Sequence, residues 1–347
     1  MSTKQNYPFY IKATMIMIGL YLFFYFLYIL QDALKPLVFA FIIAVLLNPL
    51  YKRFLKLKMP PIAAISLTIF LGFFVIFSVA FFLGTQISQF SLMLPQFLQK
   101  SNLLIADLQK WLNSSFGISL QSQANMLRQG GEESKKYVAD LLGSFVSSIS
   151  TTVLIPVYVF LLLLYKKLLI NFFFDVFEDS LAEKIANIQS QIQDSIQSYL
   201  MGLMIEMVIV AILNSVSLLI LGIESAILLG VIGAILNLIP YVGGLIAILL
   251  PVTIAFVTKD NYLMPILVIV AYMIVQLIDN NYLVPKIVSS KVSVNAIVSI
   301  LVVILGGNLW GVSGMFLSIP FVAIIKIIFD NIKELKPWGK ILGDSLE

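Results

Sequence analysis

The most constraining feature of this chain is a stretch of 33 residues, 225–257, in which no side chain is charged. Such a stretch is long enough to cross the roughly 30 Å hydrocarbon core of a bilayer as a helix. Its middle, however, reads LNLIPYVGG (236–244) and holds an asparagine, a proline and two glycines. Proline stops a helix, and glycine permits backbone conformations that other residues avoid. The chain therefore places an interrupted helix in apolar surroundings.

Composition indicates the class of protein. Hydrophobic residues make up 60% of the 347 residues and charged residues only 12%, against roughly 25% charged residues in soluble domains. The apolar runs are continuous rather than alternating, which predicts membrane helices and not a barrel. The chain has no cysteine and no histidine, which excludes disulfides, thiolate nucleophiles and Cys or His metal sites. We expect a non-enzymatic protein with no cofactor and no metal, and the modest net charge of +4 does not indicate nucleic-acid binding.

The apolar runs predict an all-α polytopic membrane protein with about eight membrane segments. The first run follows Lys4 and Lys12 but has no small-residue cleavage site after it, so we interpret it as a retained span. The predicted segments are 13–30, 36–51, 61–83, 145–165, 203–221, the broken segment 225–257, 262–284 and a second broken segment, 296–329.

Lysine and arginine placement gives the orientation, because loops rich in these residues stay in the cytoplasm. Lys166 and Lys167 follow the fourth segment, and a basic cluster crowds the link after the second segment: Lys52, Arg53, Lys56 and Lys58. We predict a protein of the bacterial cytoplasmic (inner) membrane with both termini in the cytoplasm.

Three regions follow from this topology: three N-terminal spans in 1–83, an external insert in 84–144 and a C-terminal membrane core in 145–347. The insert keeps helically spaced apolar residues from Phe90 to Leu112, which predicts two or three amphipathic helices before a turn at Gly130-Gly131. It could serve as a cap on the bundle, a subunit contact or an interfacial helix. A second amphipathic helix, 175–199, is predicted on the cytoplasmic side.

The two broken segments are predicted to be re-entrant hairpins of opposite orientation. Placing Lys286 and Lys291 in the cytoplasm requires the first segment to enter the membrane and turn back. Each arm is also short for a full span. The second break, GGNLWGVSG (306–314), repeats the first, since Asn237 and Asn308 each precede a glycine by six residues. Paired broken segments of opposite orientation indicate the central site of a transporter.

The hairpin tips are the first group of candidate site residues. A non-helical tip survives in a membrane only where it is buried in protein or lines a wet cavity, and its free backbone groups can then bind a solute or ion. The alternative is that the glycines only permit close helix packing. The residues concerned are Asn237, Pro240, Gly243 and Gly244 at the first tip and Asn308, Gly311 and Gly314 at the second.

The second group is polar and lies near the ends of two spans. Gln276, Asp279 and Asn280 are spaced i, i+3 and i+4, so they share one helix face. A carboxylate inside a membrane usually faces the bundle interior, where it can bind a cation or take a proton. The alternative is a solvated helix end. Glu206 lies just inside the fifth span and either reaches the surface or pairs with another span.

Several blocks of the C-terminal half resemble the AI-2E family of bacterial membrane proteins, also called PerM-like permeases. The blocks are ILLGVIGAILNLIPYVGG, QLIDNNYLVPKIVSSKV and LGGNLWGVSGMFLSIPFVAIIK. The resemblance covers residues 146–332 well. It implies an eight-segment, homo-oligomeric permease named for autoinducer-2 export, although some relatives are described as Na⁺(Li⁺)/H⁺ antiporters. The matching positions are Asn237, Pro240, Gly243, Gln276, Asp279, Asn280, Pro285, Gly307, Gly311, Gly314 and Pro320.

This chain departs from the family pattern at two places. Asp279 stands where the family commonly has glutamate, which keeps the charge but shortens its reach. Asn295 and Ala296 stand where a His-Pro pair is often found, which argues against a histidine-based proton step.

We therefore predict a secondary transporter that exports a small polar solute, such as an autoinducer-2-like compound. The first alternative is an antiporter that exchanges a monovalent cation for a proton on Asp279, with Glu206 as a second coupling carboxylate. The second alternative is a scaffold without transport activity, which the asparagines at the two breaks argue against. The expected partners are the bilayer, the solute or cation and further copies of the chain.

Overall fold

The structure is a computed structural model that describes residues 8–116, 154–176, 182–240, 243–259, 261, 263–288 and 294–343. All regular structure in these ranges is helical, which confirms the predicted all-α membrane class. The helices are α1 (Phe9–Ile29), α2 (Gln31–Lys56), α3 (Pro61–Phe116), α4 (Leu154–Leu164), α5 (Lys166–Val176), α6 (Ala182–Ile220), α7 (Ala226–Asn237), α8 (Gly243–Thr258), α9 (Leu263–Ile278), a π-helix (Asp279–Val288), α10 (Ala296–Trp310), α11 (Val312–Asn331) and α12 (Lys336–Leu342).

Six segments of the described chain are long and apolar enough to cross a membrane, and a seventh is the pair α4–α5, which bends by 63°. The six belong to α1, α2, α3, α6, α11 and the continuous element formed by α9 and the π-helix. The predicted count of eight segments is therefore approximate. The difference lies in α7, α8 and α10, which are apolar but shorter than a full span.

The third span does not end at residue 83, as the sequence suggested, but continues in α3 to Phe116. Neither Gly84 nor Pro95 ends this helix, because the residues beyond them keep the helical spacing of apolar positions. Residues 84–116 are therefore one continuous extension of the membrane helix α3. The predicted turn at Gly130-Gly131 lies outside the described residues.

Residues 182–199 of the predicted amphipathic helix merge with the fifth span, because α6 runs for 39 residues from Ala182 to Ile220, whereas residues 175–176 belong to α5. No proline interrupts it, and Gly202 serves close packing instead of a turn. A methyl group at Gly202 would lie 2.6 Å from the carbonyl oxygen of Ile287. Helix α6 packs against α2, α7, α9, the π-helix and α11, which makes it the central helix of the C-terminal region.

The first broken segment forms a helical hairpin of α7 and α8. A methyl group at Gly233 would contact the Cβ atom of Ala247 at 3.6 Å, and one at Gly243 would overlap the carbonyl group of Leu236. These pairings place the two arms antiparallel, with the break after Asn237 and before Gly243. The prediction that this segment turns at LNLIPYVGG agrees with the packing.

The second broken segment forms another antiparallel hairpin, from α10 and α11. It turns at Gly311, whose φ of 65° and ψ of −145° favour glycine. The hydroxyl of Ser318 lies 2.8 Å from the carbonyl oxygen of Val302 on the opposite arm. A methyl group at Gly306 or Gly314 would overlap the other arm, so these two glycines permit the close approach of the helices.

The C-terminal helix α12 is held against the start of α10 by Asn295. The side-chain amide of Asn295 donates to the carbonyl oxygens of Ile341 at 2.6 Å and Gly343 at 3.2 Å. Its Oδ1 atom accepts from the backbone N–H of Val298 at 2.8 Å and caps α10. Asn295 therefore has a structural role, because it caps α10 and ties α12 to it.

Candidate functional site

The candidate site is centred on Asn237, the last residue of α7. Its side-chain amide donates to Oδ2 of Asp279 at 2.8 Å and to Oε1 of Glu206 at 3.2 Å. Both distances fall in the range of well-formed hydrogen bonds. One asparagine thus joins three elements: α6 through Glu206, the hairpin tip through itself and the π-helix through Asp279.

Both carboxylates are buried, with Glu206 only 4% exposed and Asp279 only 1% exposed. Since they bond to the same nitrogen atom, they are also close neighbours. Two charged carboxylates at this separation repel each other, and burial makes each charge costly. The arrangement favours neutralisation of one negative charge by a proton or a monovalent cation. The second oxygen of Asp279, Oδ1, has no hydrogen-bond partner among the described residues.

The backbone around Asp279 is a π-helix of ten residues that begins at this aspartate and continues α9. Segments of π-helix are rare and frequently occur at functional sites. Pro285 lies inside it and removes one backbone donor. Asp279 and Asn280 line the same cavity as Gln276 of α9, as their i, i+3 and i+4 spacing predicts.

The cavity next to the three residues has a volume of about 740 Å³, which is within the range of small-molecule sites. Its walls combine apolar side chains with a small set of polar groups, as such sites usually do. The polar residues that line it are Tyr199, Glu206, Asn237, Tyr272, Gln276, Asp279, Asn280 and Ser299.

Two residues of the first hairpin tip line this cavity. Pro240 and Gly244 line it directly. A methyl group at Gly244 would lie 2.7 Å from Oε1 of Gln276, so the glycine leaves room for that amide. Gly243 has a different role, because its missing side chain lets α8 start against the carbonyl group of Leu236.

The second hairpin tip lies elsewhere. The side-chain amide of Asn308 donates to the carbonyl oxygen of Ile304 in its own helix at 3.0 Å, and Asn308 is exposed. Gly311 is exposed as well, and Gly314 packs against Gly306 within the hairpin. None of the three is among the residues that line the described cavity. The α10–α11 hairpin reaches that cavity instead through Ser299 and Ile319.

Comparison with known proteins identifies the family of this chain. The family described as AI-2E family transporter matches residues 15–334, which is most of the chain. The chain belongs to the AI-2E family. The match confirms the resemblance carried by LNLIPYVGG and the two later blocks, and it identifies a multi-pass membrane protein of a bacterial transporter family.

Two of the AI-2E relatives are distant in sequence but extend over most of the chain, and a third matches a short segment. The "AI-2 transport protein TqsA" of Escherichia coli strain K12 is 25% identical over 314 residues, which cover 90% of each chain. The "Putative transport protein YueF" of Bacillus subtilis strain 168 is 25% identical over 313 residues, 86% of this chain and 84% of the relative. The "Putative permease PerM" of E. coli strain K12 is 42% identical over 57 residues, 16% of each chain.

Sequence reasoning missed four polar residues of this AI-2E chain near the site. Tyr199, Tyr272 and Ser299 line the cavity, and Asn214 is buried in α6 beyond Glu206. Asn214 had a usable signal, because an amide within an apolar span is costly unless it has a partner. The two tyrosines had none, since aromatic residues are common on apolar helix faces.

Proposed function

We propose that this chain is a secondary transporter that exports a small polar solute through the cavity beside Asn237. The observation that carries the proposal is the position of this asparagine, which bonds to two buried carboxylates at the wall of a cavity of about 740 Å³. Carboxylate oxygens and amide groups together accept and donate hydrogen bonds, as a hydroxyl-rich solute requires. The name of the relative TqsA supports autoinducer-2 as the first solute to test.

The test is solute efflux from proteoliposomes that contain the full chain and trapped, labelled autoinducer-2. Efflux should require the protein and should fall strongly in Asn237→Leu, because the two carboxylates lose their shared donor. Asn308→Leu is the matched control, since the bond of the Asn308 side chain within the described residues is to its own helix. Equal efflux from vesicles with and without protein would refute autoinducer-2 as the solute, and a labelled polyol of similar size then tests the wider class.

A second candidate function is exchange of Na⁺ or Li⁺ for a proton on the Glu206–Asp279 pair. It is favoured by the burial of both carboxylates beside one amide, which gives a proton and a cation the same binding place. Vesicles with an outward sodium gradient and an internal pH dye would then acidify. Loss of this signal in Asp279→Asn would favour the exchanger, whereas solute efflux that survives this substitution would separate the two functions.

We also propose that the chain lies in the cytoplasmic membrane with both termini inside and that it forms homo-oligomers. The basic cluster at the end of α2 and the lysines of α12 support the orientation. The chain has no cysteine, so single cysteines can be introduced at Lys58 and Lys340 and labelled with a membrane-impermeant reagent. Labelling in intact cells would contradict a cytoplasmic position, and crosslinking in membranes would test the oligomer. Re-entrant insertion of the two hairpins stays a prediction, and the same labelling at Lys259 tests it for the first hairpin.

A further inference from the structure

The charged side chains that line the cavity beside Asn237 are both acidic. Among the described residues of its lining, Glu206 and Asp279 carry carboxylates, and none is a lysine or an arginine. Lys286, the basic residue of the π-helix, is exposed, and its ammonium group donates to the hydroxyl of Tyr282 at 3.1 Å. Neither of these two residues lines the cavity. The cavity therefore repels anions and attracts solutes that carry a positive charge.

The two carboxylates have more acceptor atoms than donors near them. Each carboxylate offers two oxygen atoms, and Asn237 donates to one oxygen of each. The Oδ1 atom of Asp279 has no hydrogen-bond partner among the described residues, although this side chain is only 1% exposed. Buried polar atoms are costly unless they are paired. Because an amide donor is neutral, Asn237 leaves the negative charge of the pair uncompensated.

The size of the cavity indicates what kind of cation compensates this charge. A volume of about 740 Å³ is that of a site for a small organic molecule, and a bare monovalent ion would fill only a small part of it. Apolar side chains form other walls, which include Leu203, Leu245 and Ile248. Such walls contact the carbon atoms of an organic solute but offer no ligand to an inorganic ion. Charge and size together indicate an organic cation.

Neutral polar groups continue from the carboxylates along one face of α9. Tyr272, Gln276 and Asp279 are spaced i, i+4 and i+7, and all three line the cavity. At the rise of an α-helix, Gln276 is about 5 Å and Tyr272 about 10 Å from Asp279 along the axis. The hydroxyl of Tyr272 is buried and has no hydrogen-bond partner among the described residues. The face therefore offers a charged acceptor at one end and uncharged polar groups toward the other.

We propose that the solute of this cavity is a small organic amine, whose ammonium group binds the Glu206–Asp279 pair and whose hydroxyl groups bind Gln276 and Tyr272. The inference rests on the proposed function, because it names the class of solute that the cavity exports. An ammonium group has three donors and a positive charge, so it supplies the compensation that the Asn237 amide cannot. Its hydrogen bonds to carboxylates are also stronger than those of a neutral hydroxyl.

Three solutes with one carbon skeleton test the charge preference of the wild-type protein. Glucamine is an ammonium polyol, sorbitol is its neutral counterpart and gluconate is its anionic counterpart. Efflux of each labelled solute is measured from proteoliposomes that contain the full chain, with the membrane potential clamped by potassium and valinomycin and with the leak of protein-free vesicles subtracted.

Glucamine should leave the vesicles about tenfold faster than sorbitol, because its bonds to the carboxylates are charge-assisted. Gluconate should leave most slowly, since the carboxylates repel it. Sorbitol efflux as fast as glucamine efflux would overturn the amine and leave the proposed function intact. That result would instead indicate that a proton neutralises the pair before a neutral solute binds.

The double variant Glu206→Gln, Asp279→Asn tests where the ammonium group binds. It should lower the ratio of glucamine efflux to sorbitol efflux from about ten to about one, because no carboxylate remains at the cavity wall. A ratio does not depend on the amount of folded protein. Asp330→Asn is the matched control and should keep the wild-type ratio, since its carboxylate pairs locally with Lys326. An unchanged ratio in the double variant would refute the pair as the ammonium site.

A binding measurement separates this inference from the proposed function. If neither autoinducer-2 nor any of the three solutes leaves the vesicles, the proposed transport is refuted, and thermal unfolding of the full chain in detergent then decides the amine site alone. Glucamine should raise the unfolding temperature of the wild type more than sorbitol does, and it should not raise that of the double variant. The absence of a shift with glucamine in the wild type would overturn the amine site.

Discussion

The two helical hairpins, α7–α8 and α10–α11, have similar breaks in sequence but different surroundings. The tip of the first faces α6 and the π-helix, where Asn237 bonds to two carboxylates. Near the tip of the second, Asn308 bonds to its own helix and the indole of Trp310 donates to the carbonyl oxygen of Leu27 in α1. The role of a hairpin tip is therefore set by the residues that stand opposite it, and the same short motif can serve a site or a structural contact.

The largest expected effect is a difference in transport rate between substitutions at the two tip asparagines, Asn237 and Asn308. Asn237→Leu should reduce transport about 100-fold, because hydrogen bonds to charged groups are worth about 1.5–3 kcal/mol each and two buried carboxylates lose theirs. Asn308→Leu should stay within about twofold of wild type, since only a local helix bond is lost. Initial rates in proteoliposomes, normalised to the amount of folded protein, measure both. Similar losses of transport in the two variants would contradict the difference between the two tips and would support a shared role for them.

The next largest effect on transport is expected for the two carboxylates of the site. Glu206→Gln and Asp279→Asn should each lower transport at least about tenfold and flatten its dependence on pH, because neither neutral side chain can exchange a proton. The matched control is Asp330→Asn on the second hairpin, whose carboxylate pairs locally with Lys326 at 2.5 Å. Transport rates measured across a pH series test this. A change in the pH profile of Asp330→Asn as large as that of either carboxylate variant would contradict the proposed site.

Close packing should affect the two hairpins alike. Gly243→Ala and Gly314→Ala each place a methyl group against a backbone carbonyl, that of Leu236 and that of Gly306. We expect each to lower the free energy of unfolding by about 1–3 kcal/mol, the usual cost of overpacking. Thermal unfolding in detergent measures this, with Gly19→Ala as the variant that has open space around it. A stable Gly243→Ala protein would show that the first tip can relax.

The smallest expected effect concerns the second hairpin alone. Trp310→Phe removes the indole N–H that bonds to Leu27 at 3.0 Å, a loss of about 1 kcal/mol. It should loosen α1 and leave transport unchanged. Faster amide hydrogen exchange in α1, with a normal transport rate, would support the structural role of this tip, and a loss of transport would instead link α1 to the site.

Much of the fold could be predicted from the sequence, because hydropathy and helix breakers are local signals. The spans and both breaks follow from them, and the sequence singled out Glu206, Asn237 and Asp279 separately. Their meeting could not be predicted, since it depends on how α6 packs against a hairpin and a π-helix more than 30 residues away. The continuity of α3 through Gly84 and Pro95 also escaped, because these residues usually end helices but do not do so in every context.

The second tip shows where a pattern misled. Asn308 repeats the spacing of Asn237, and the repeat predicted a matching contribution to a central site. A spacing of six residues says nothing about the element on the other side of the tip. Asn214 and Tyr272 were missed for the opposite reason, because single polar residues in apolar helices form no motif.

The uninterrupted helix α3 has a practical consequence. Residues 61–86 suffice to cross the bilayer, so the remaining turns to Phe116 extend about 45 Å beyond it at the rise of an α-helix. In electron micrographs of purified particles, a rod of that length would mark one side of the membrane before any side chain is visible. The number of rods in each particle would count the subunits, and their direction relative to an antibody bound at the C-terminus would give the sidedness of the transporter.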